Sequence, residues 1–104
     1  MSKDWVKDIN EMQYKYGVHK WIHDNRNNPD ALKRYLEFRV DFLKEELDET
    51  EAALIQMNSE EIVDGLIDLC VVAIGTLDAF GVDPYKAWDE ILKANLSFKS
   101  IRVI

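Results

Sequence analysis

Ile62-Val63-Asp64-Gly65-Leu66-Ile67-Asp68-Leu69-Cys70-Val71-Val72-Ala73-Ile74-Gly75-Thr76-Leu77-Asp78-Ala79-Phe80 has only Asp64, Asp68, Thr76 and Asp78 as polar side chains. No proline interrupts it and no period-two alternation runs through it, so it reads as a helix that is apolar nearly all round. That is the pattern of a buried helix. Asp64 and Asp68 are four apart and share a face, with Glu61 one turn earlier on the same stripe. Gly65 and Gly75 lie on that stripe too and are expected to leave space beside the acids. Unpaired carboxylates in such surroundings cost on the order of several kcal/mol each or become protonated, and a divalent cation removes that cost.

Working outward, Gly and Pro are rare, and their places read as helix ends. A first helix is predicted over about 3–16, stopping near Gly17. An Asn-rich connection with some helical character follows over 17–29. Asn28-Pro29 reads as a cap and first helical position, opening a helix predicted over 29–57. Asn58, with Glu61 three residues on, is a capping-box-like start for the helix that continues to Phe80. Gly81 ends it, Asp83-Pro84 starts a last helix to about Ala94, and 95–104 is a short tail. The fold class expected is all-α, a four-to-five-helix bundle.

The helix over 29–57 carries the second group of acids. At about 100° per residue, Leu32, Leu36, Leu43, Leu47, Leu54 and Met57 form one apolar stripe, with Tyr35, Phe38, Phe42 and Ala53 as another beside it. Glu46 and Glu49 fall within or between these rows and Glu45 at their margin, whereas Asp41, Lys44, Asp48 and Glu51 face the opposite way. Carboxylates from two adjacent antiparallel helices can surround one or two hard cations, and all-oxygen ligation favours Mg²⁺ or Mn²⁺ over zinc. Plainer readings stand beside this one. Glu45, Glu46 and Glu49 fit a solvated face, Glu61 fits a cap, and Asp64 and Asp68 fit salt bridges to Arg34 or Arg39.

Composition limits the alternatives. The chain has 104 residues, enough for one domain over 1–104, and is 47% hydrophobic, too apolar for disorder. A net charge of −7 argues against a nucleic-acid polymer as partner. Cys70 is the single cysteine, which excludes an intramolecular disulfide and a thiolate metal site. It is read as a buried structural thiol. His19 and His23 are four apart but lack a third ligand for zinc, and the Glu-x-x-His motifs of a di-iron bundle are absent. The longest apolar run, Leu69 to Gly75, is too short to span a bilayer. With no signal-peptide h-region near the N-terminus, a cytoplasmic location is the expectation. A non-catalytic helical interaction module remains the rival to an enzyme. It predicts no nucleotide turnover and no rise in melting temperature with Mg²⁺.

Glu45-Glu46-Leu47-Asp48-Glu49, followed by Glu61-Ile62-Val63-Asp64, resembles the EExxE…ExxD pattern of MazG-like nucleotide pyrophosphohydrolases. These belong to the all-α NTP pyrophosphatase superfamily, with dimeric dUTPases and phosphoribosyl-ATP pyrophosphohydrolase as relatives. Asp64 to Thr76 looks like the second metal helix of small stand-alone members, including phage-encoded ones. Lys93-Ala94-Asn95-Leu96-Ser97-Phe98-Lys99 resembles the Asn-and-Lys element after the last helix. The likeness covers about residues 8–100. It implies Glu46 and Glu49 as metal ligands, with Glu45 able to orient water. The ExxD acids map to Glu61 and Asp64. Alternatively Asp68 aligns with the Asp preceding the apolar run, with Gly65 in the place of the relatives' Glu and Asp64 one position earlier. Gln13 departs from the Phe-His that relatives often show in the first helix.

The resemblance implies cleavage of a nucleoside triphosphate, (d)NTP, between the α- and β-phosphates to a monophosphate and pyrophosphate, with Mg²⁺ (or Mn²⁺) as cofactor. Glu45 or Glu46 would accept the proton of the attacking water. Lys93, Lys99 and Arg102 would hold the departing pyrophosphate, and Asn95 would contact base or sugar. Trp21 and Trp88 are read mainly as packing residues. Two helices apolar nearly all round exceed what one small subunit covers, so a homodimer or homotetramer is expected.

Overall fold

The computed structural model describes residues 3–97, which form five helices with no strand among them. Each helix except α2 begins at a short polar side chain that takes over orphan N–H groups. The Asp4 carboxylate accepts from Lys7 N to cap α1 (Trp5–Lys15). Gly17, at φ 77°, turns the chain directly into α2 (Val18–Asp24), so the expected connection holds a short true helix. Asn28 accepts from Ala31 N at 3.1 Å to cap α3 (Pro29–Ile55). Asn58 accepts from Glu61 N at 3.2 Å to cap α4 (Ser59–Ala79). Asp83 accepts from Tyr85 N and Lys86 N to start α5 (Pro84–Leu96).

α3 and α4 end in the same hydrogen-bond pattern. Gly81 N donates to Asp78 O and Val82 N to Leu77 O, with Gly81 at φ 71°. Met57 N donates to Leu54 O and Asn58 N to Ala53 O, with Met57 at φ 55°. Both are Schellman closures, which need one residue in left-handed conformation. Glycine adopts it at no steric cost; methionine adopts it against one. This reversal is why α3 stops at Ile55, two residues short of the prediction. It also engages the Asn58 N–H, so the Glu61 carboxylate closes no capping box.

α4 is the hub: α3 packs along it most extensively, α1 next, and α2 and α5 each touch it. Thr50 lies against Gly65 and Arg39 against Thr76, so α3 and α4 run antiparallel. Along α3 the buried and half-buried positions are Ala31, Leu32, Tyr35, Arg39, Phe42, Leu43, Glu46, Thr50 and Ala53, and Arg39 and Thr50 among them meet α4 directly. The leucine stripe is largely left open: Leu36, Leu47, Leu54 and Met57 are exposed. On α4, Val63, Leu66, Ile67 and Leu77 are exposed as well, so a single chain does not bury this helix all round. The core is confined to small or medium residues, Ile9, Ala31, Ala53, Val72 and Ala79. Among the described residues, no single helix is long and apolar enough to cross a membrane.

Candidate functional site

The α3–α4 pairing sets two acid-bearing segments side by side. Glu46 is half-buried on the face of α3 that carries Arg39 and Thr50, and the antiparallel register puts Asp68 level with it. Its carboxyl is held above the usual carboxylate range by desolvation first, then by the charges of Glu49, Asp68 and Glu45, with Asp68 within hydrogen-bonding reach. Four carboxylates thus share one neighbourhood. No base offsets them: among the described residues the lysine ion pairs are Lys20–Asp24, Lys33–Glu37 and Lys44–Asp41, and His19 stands against Asp78. Arg39 is not the salt-bridge partner that the sequence allowed. Its Nε donates to Thr76 Oγ1 and its Nη2 to Val72 O, both at 3.0 Å.

Asp64 and Glu61 are placed differently. Both are exposed. At about 1.5 Å of rise per residue, Asp64 is roughly 6 Å and Glu61 roughly 10 Å along α4 from Asp68. The α4 acid brought against α3 is therefore Asp68, with Asp64 a turn away and Glu61 near the helix start. Gly65 does not leave the open space expected beside them. A Cβ there would meet Thr50 Oγ1 at 2.0 Å, so Thr50 fills that position.

Among the described residues, no three His, Cys, Asp or Glu side chains converge as a ready-made metal cage. Like charges without a counter-ion splay apart, and carboxylate rotamers are free to do so on exposed faces. The donor set is nevertheless what a hard divalent ion takes: oxygen only, several charges, and open sides for retained water. By the chemistry of its donors alone, such an all-oxygen set suits Mg²⁺ or Mn²⁺ better than zinc.

A second polar group lies at the other end of α4, where sequence reading assigned nothing. Asp78 is buried. Asn10 Nδ2 donates to its Oδ1 at 2.6 Å, and Gln13 Nε2 to its Oδ2 at 2.8 Å. The same Gln13 nitrogen donates to Gly75 O at 2.9 Å. His19 Nε2 stands 2.9 Å from Asp78 Oδ2, close yet misaligned for a hydrogen bond, and its ring stacks on Tyr14 at 3.9 Å. Gln13, the departure from the Phe-His pattern, is thus a buried fastener of α1 to α4. A hollow of 620 Å³ opens beside this group between Asn10, His19, His23 and Arg26. The cluster is about 15 Å along α4 from Asp68. The signal for it was present, since an acid ten residues beyond Asp68 inside an apolar run demands buried partners.

Lys93 and Asn95 are exposed on α5, which extends past the expected end at Ala94, and neither is bonded to an acid of the cluster. Trp21 packs on Tyr35 at 5.3 Å. Trp88 borders an apolar hollow with Val6, Ile74 and Ile91. Lys99 and Arg102 lie outside the described residues.

The sequence model of phosphoribosyl-ATP pyrophosphohydrolase matches residues 16–95, a span that includes both acid-bearing helices and leaves out α1. No curated protein and no solved structure matches the chain.

Proposed function

The chain belongs to the phosphoribosyl-ATP pyrophosphohydrolase family, and on that premise we propose a metal-dependent enzyme that cleaves nucleoside triphosphates, (d)NTP, between the α- and β-phosphates. The pyrophosphohydrolase chemistry comes with the family. The substrate and the metal are our reading. The observation that carries it is the group Glu45, Glu46, Glu49 and Asp68, which shares one neighbourhood with no basic side chain to offset it.

Glu46, Glu49 and Asp68 would hold Mg²⁺, with Asp64 one turn away as a further ligand and Glu61 too far along α4 to reach the same ion. When bound, the ion neutralises phosphate charge and acidifies water. Phosphoryl transfer asks mainly for charge neutralisation and in-line placement, and acids on two rigid helices provide that placement. Water oxygen bonds to the α-phosphorus as the bond from that phosphorus to the bridging oxygen breaks. Pyrophosphate leaves, and the water's proton passes to a carboxylate. Glu45, exposed beside the group, and Glu46 are the two acceptors within it. Lys93 and Asn95, with Lys99 and Arg102 from the tail, complete the proposal as ligands of the leaving group and nucleoside.

Assembly belongs to the same reading. The apolar side chains that α3 and α4 leave exposed, among them Leu36, Leu47, Leu54, Val63, Leu66 and Ile67, are the surface that a partner subunit would cover. We place a second copy of the chain, as a homodimer or homotetramer, on the open leucine stripe of α3 and the exposed apolar face of α4.

A panel of NTPs, dNTPs and phosphoribosyl-ATP, each with Mg²⁺ and with chelator, tests the function by release of monophosphate and pyrophosphate. Turnover that survives the chelator sinks the metal assignment, and no turnover of any member sinks the enzyme. Sedimentation at micromolar protein tests the assembly, which a 12.1 kDa species would refute.

A further inference from the structure

At Gly65 and Thr50 the backbones of α3 and α4 come close together. A Cβ at Gly65 would lie 2.0 Å from Thr50 Oγ1, 3.0 Å from Thr50 Cβ and 3.3 Å from Thr50 Cα. The nearest of these atoms is not at a loose end. Thr50 Oγ1 donates to Glu46 O at 2.7 Å, so this hydroxyl is bonded to the backbone of the acid one turn away. Asp68 is three residues from Gly65 on α4, and Glu46 is four residues from Thr50 on α3. The contact is thus one helical turn from the level at which the two acids face each other. Closely packed helices respond to an added methyl by moving apart, because interiors have little free volume to absorb it.

We propose that Gly65, seated on Thr50, is a positioning residue that sets the separation of α3 and α4 and thereby the span across which Glu46 and Asp68 share a divalent ion. This inference rests on the metal reading above. A small hard cation needs oxygen ligands at nearly fixed distance, whereas the acids alone repel one another and hold no spacing. Thr50 itself makes no contact with the ion. Its part is to present a Cβ and hydroxyl that glycine alone accommodates.

Mn²⁺ binding, read by the loss of the free-ion paramagnetic resonance signal, is measured for the full-length chain and for Gly65→Ala, Thr50→Ala and the double variant. Circular dichroism monitors helicity. The expected result is weaker Mn²⁺ binding in Gly65→Ala by about tenfold or more, the scale on which outer supports of metal ligands act. Thr50→Ala alone is expected to stay within about twofold. The double variant, freed of the clash with the Thr50 hydroxyl but still tight against the Cβ and Cα of residue 50, is expected to recover part of the loss. A Gly65→Ala protein that stays helical and binds Mn²⁺ like the parent overturns the proposal, as does a double variant no better than Gly65→Ala. Should Gly65→Ala fail to fold, the comparison moves to the Thr50→Ala background. There Gly65→Ser must bind Mn²⁺ more weakly than Gly65→Ala, and equal binding overturns the proposal. A parent protein that binds no Mn²⁺ removes the metal reading itself, and this inference with it. Parent binding with an insensitive Gly65 removes only the inference.

Discussion

Replacing Gln13 by methionine keeps the side chain's length and removes its hydrogen bonds. Gln13 is 5% exposed, and its Nε2 donates to Gly75 O at 2.9 Å and to Asp78 Oδ2 at 2.8 Å. The bond to a neutral carbonyl contributes about 0.5–1.5 kcal/mol and the bond to a carboxylate about 1.5–3 kcal/mol. Methionine also leaves Asp78 buried with Asn10 as its one well-aligned donor. The expected loss is therefore about 2–4 kcal/mol, out of the roughly 5–15 kcal/mol typical of a domain. Denaturant unfolding followed by circular dichroism measures it, at fixed protein concentration because assembly shifts apparent stability. In a thermal scan the same loss lowers Tm by roughly 10–20 °C. A loss below about 1 kcal/mol would show that water satisfies Asp78 and that α1 is not fastened to α4 through this residue.

Glu49→Gln and Asp68→Asn should each abolish turnover while circular dichroism stays helical; full activity in both would dissolve the site. Because the Glu46 carboxyl sits above its ordinary range and a ligand must be ionised, Mg²⁺ affinity should fall as pH drops through that raised value, with protons released on binding. Without metal the sign for stability is opposite. A raised carboxyl favours the fold most below its unfolded pKa, and the benefit is lost as pH rises through the folded one. Melting scans of the parent and Glu46→Gln across the mildly acid range check this, and parallel curves refute it. Met57→Gly should stabilise the chain by up to about 1 kcal/mol, since methionine holds φ 55° at a steric cost glycine avoids. A destabilised variant in equilibrium unfolding would contradict that reading of the α3 terminus.

Helix order was written locally. Asn28-Pro29, Asn58 and Asp83-Pro84 mark starts, Gly17 and Gly81 mark ends, and each acts within four residues of itself. The acids on α3 and α4 were equally visible, because a charged residue inside an apolar period stands out. The choice between the two apolar stripes of α3 was not visible. The sequence offered both, and small residues and half-buried polar ones let α4 approach one of them, at Ala53, Thr50 and Glu46. Gly65 read as empty space for the same reason: its occupant, Thr50, comes from another helix.

The amino-acid pattern by itself determined an all-helical chain and two acid-bearing helices joined by a turn too short for anything but antiparallel pairing. Periodicity and caps are set by neighbours along the chain, so a single sequence records them. Tertiary structure alone decided that Asp68 stands level with Glu46, that Gly65 rests on Thr50, and that Gln13 reaches 65 residues along the chain to Asp78. Those pairings depend on how side chains of distant segments interdigitate, and register between two helices is a property of neither one alone.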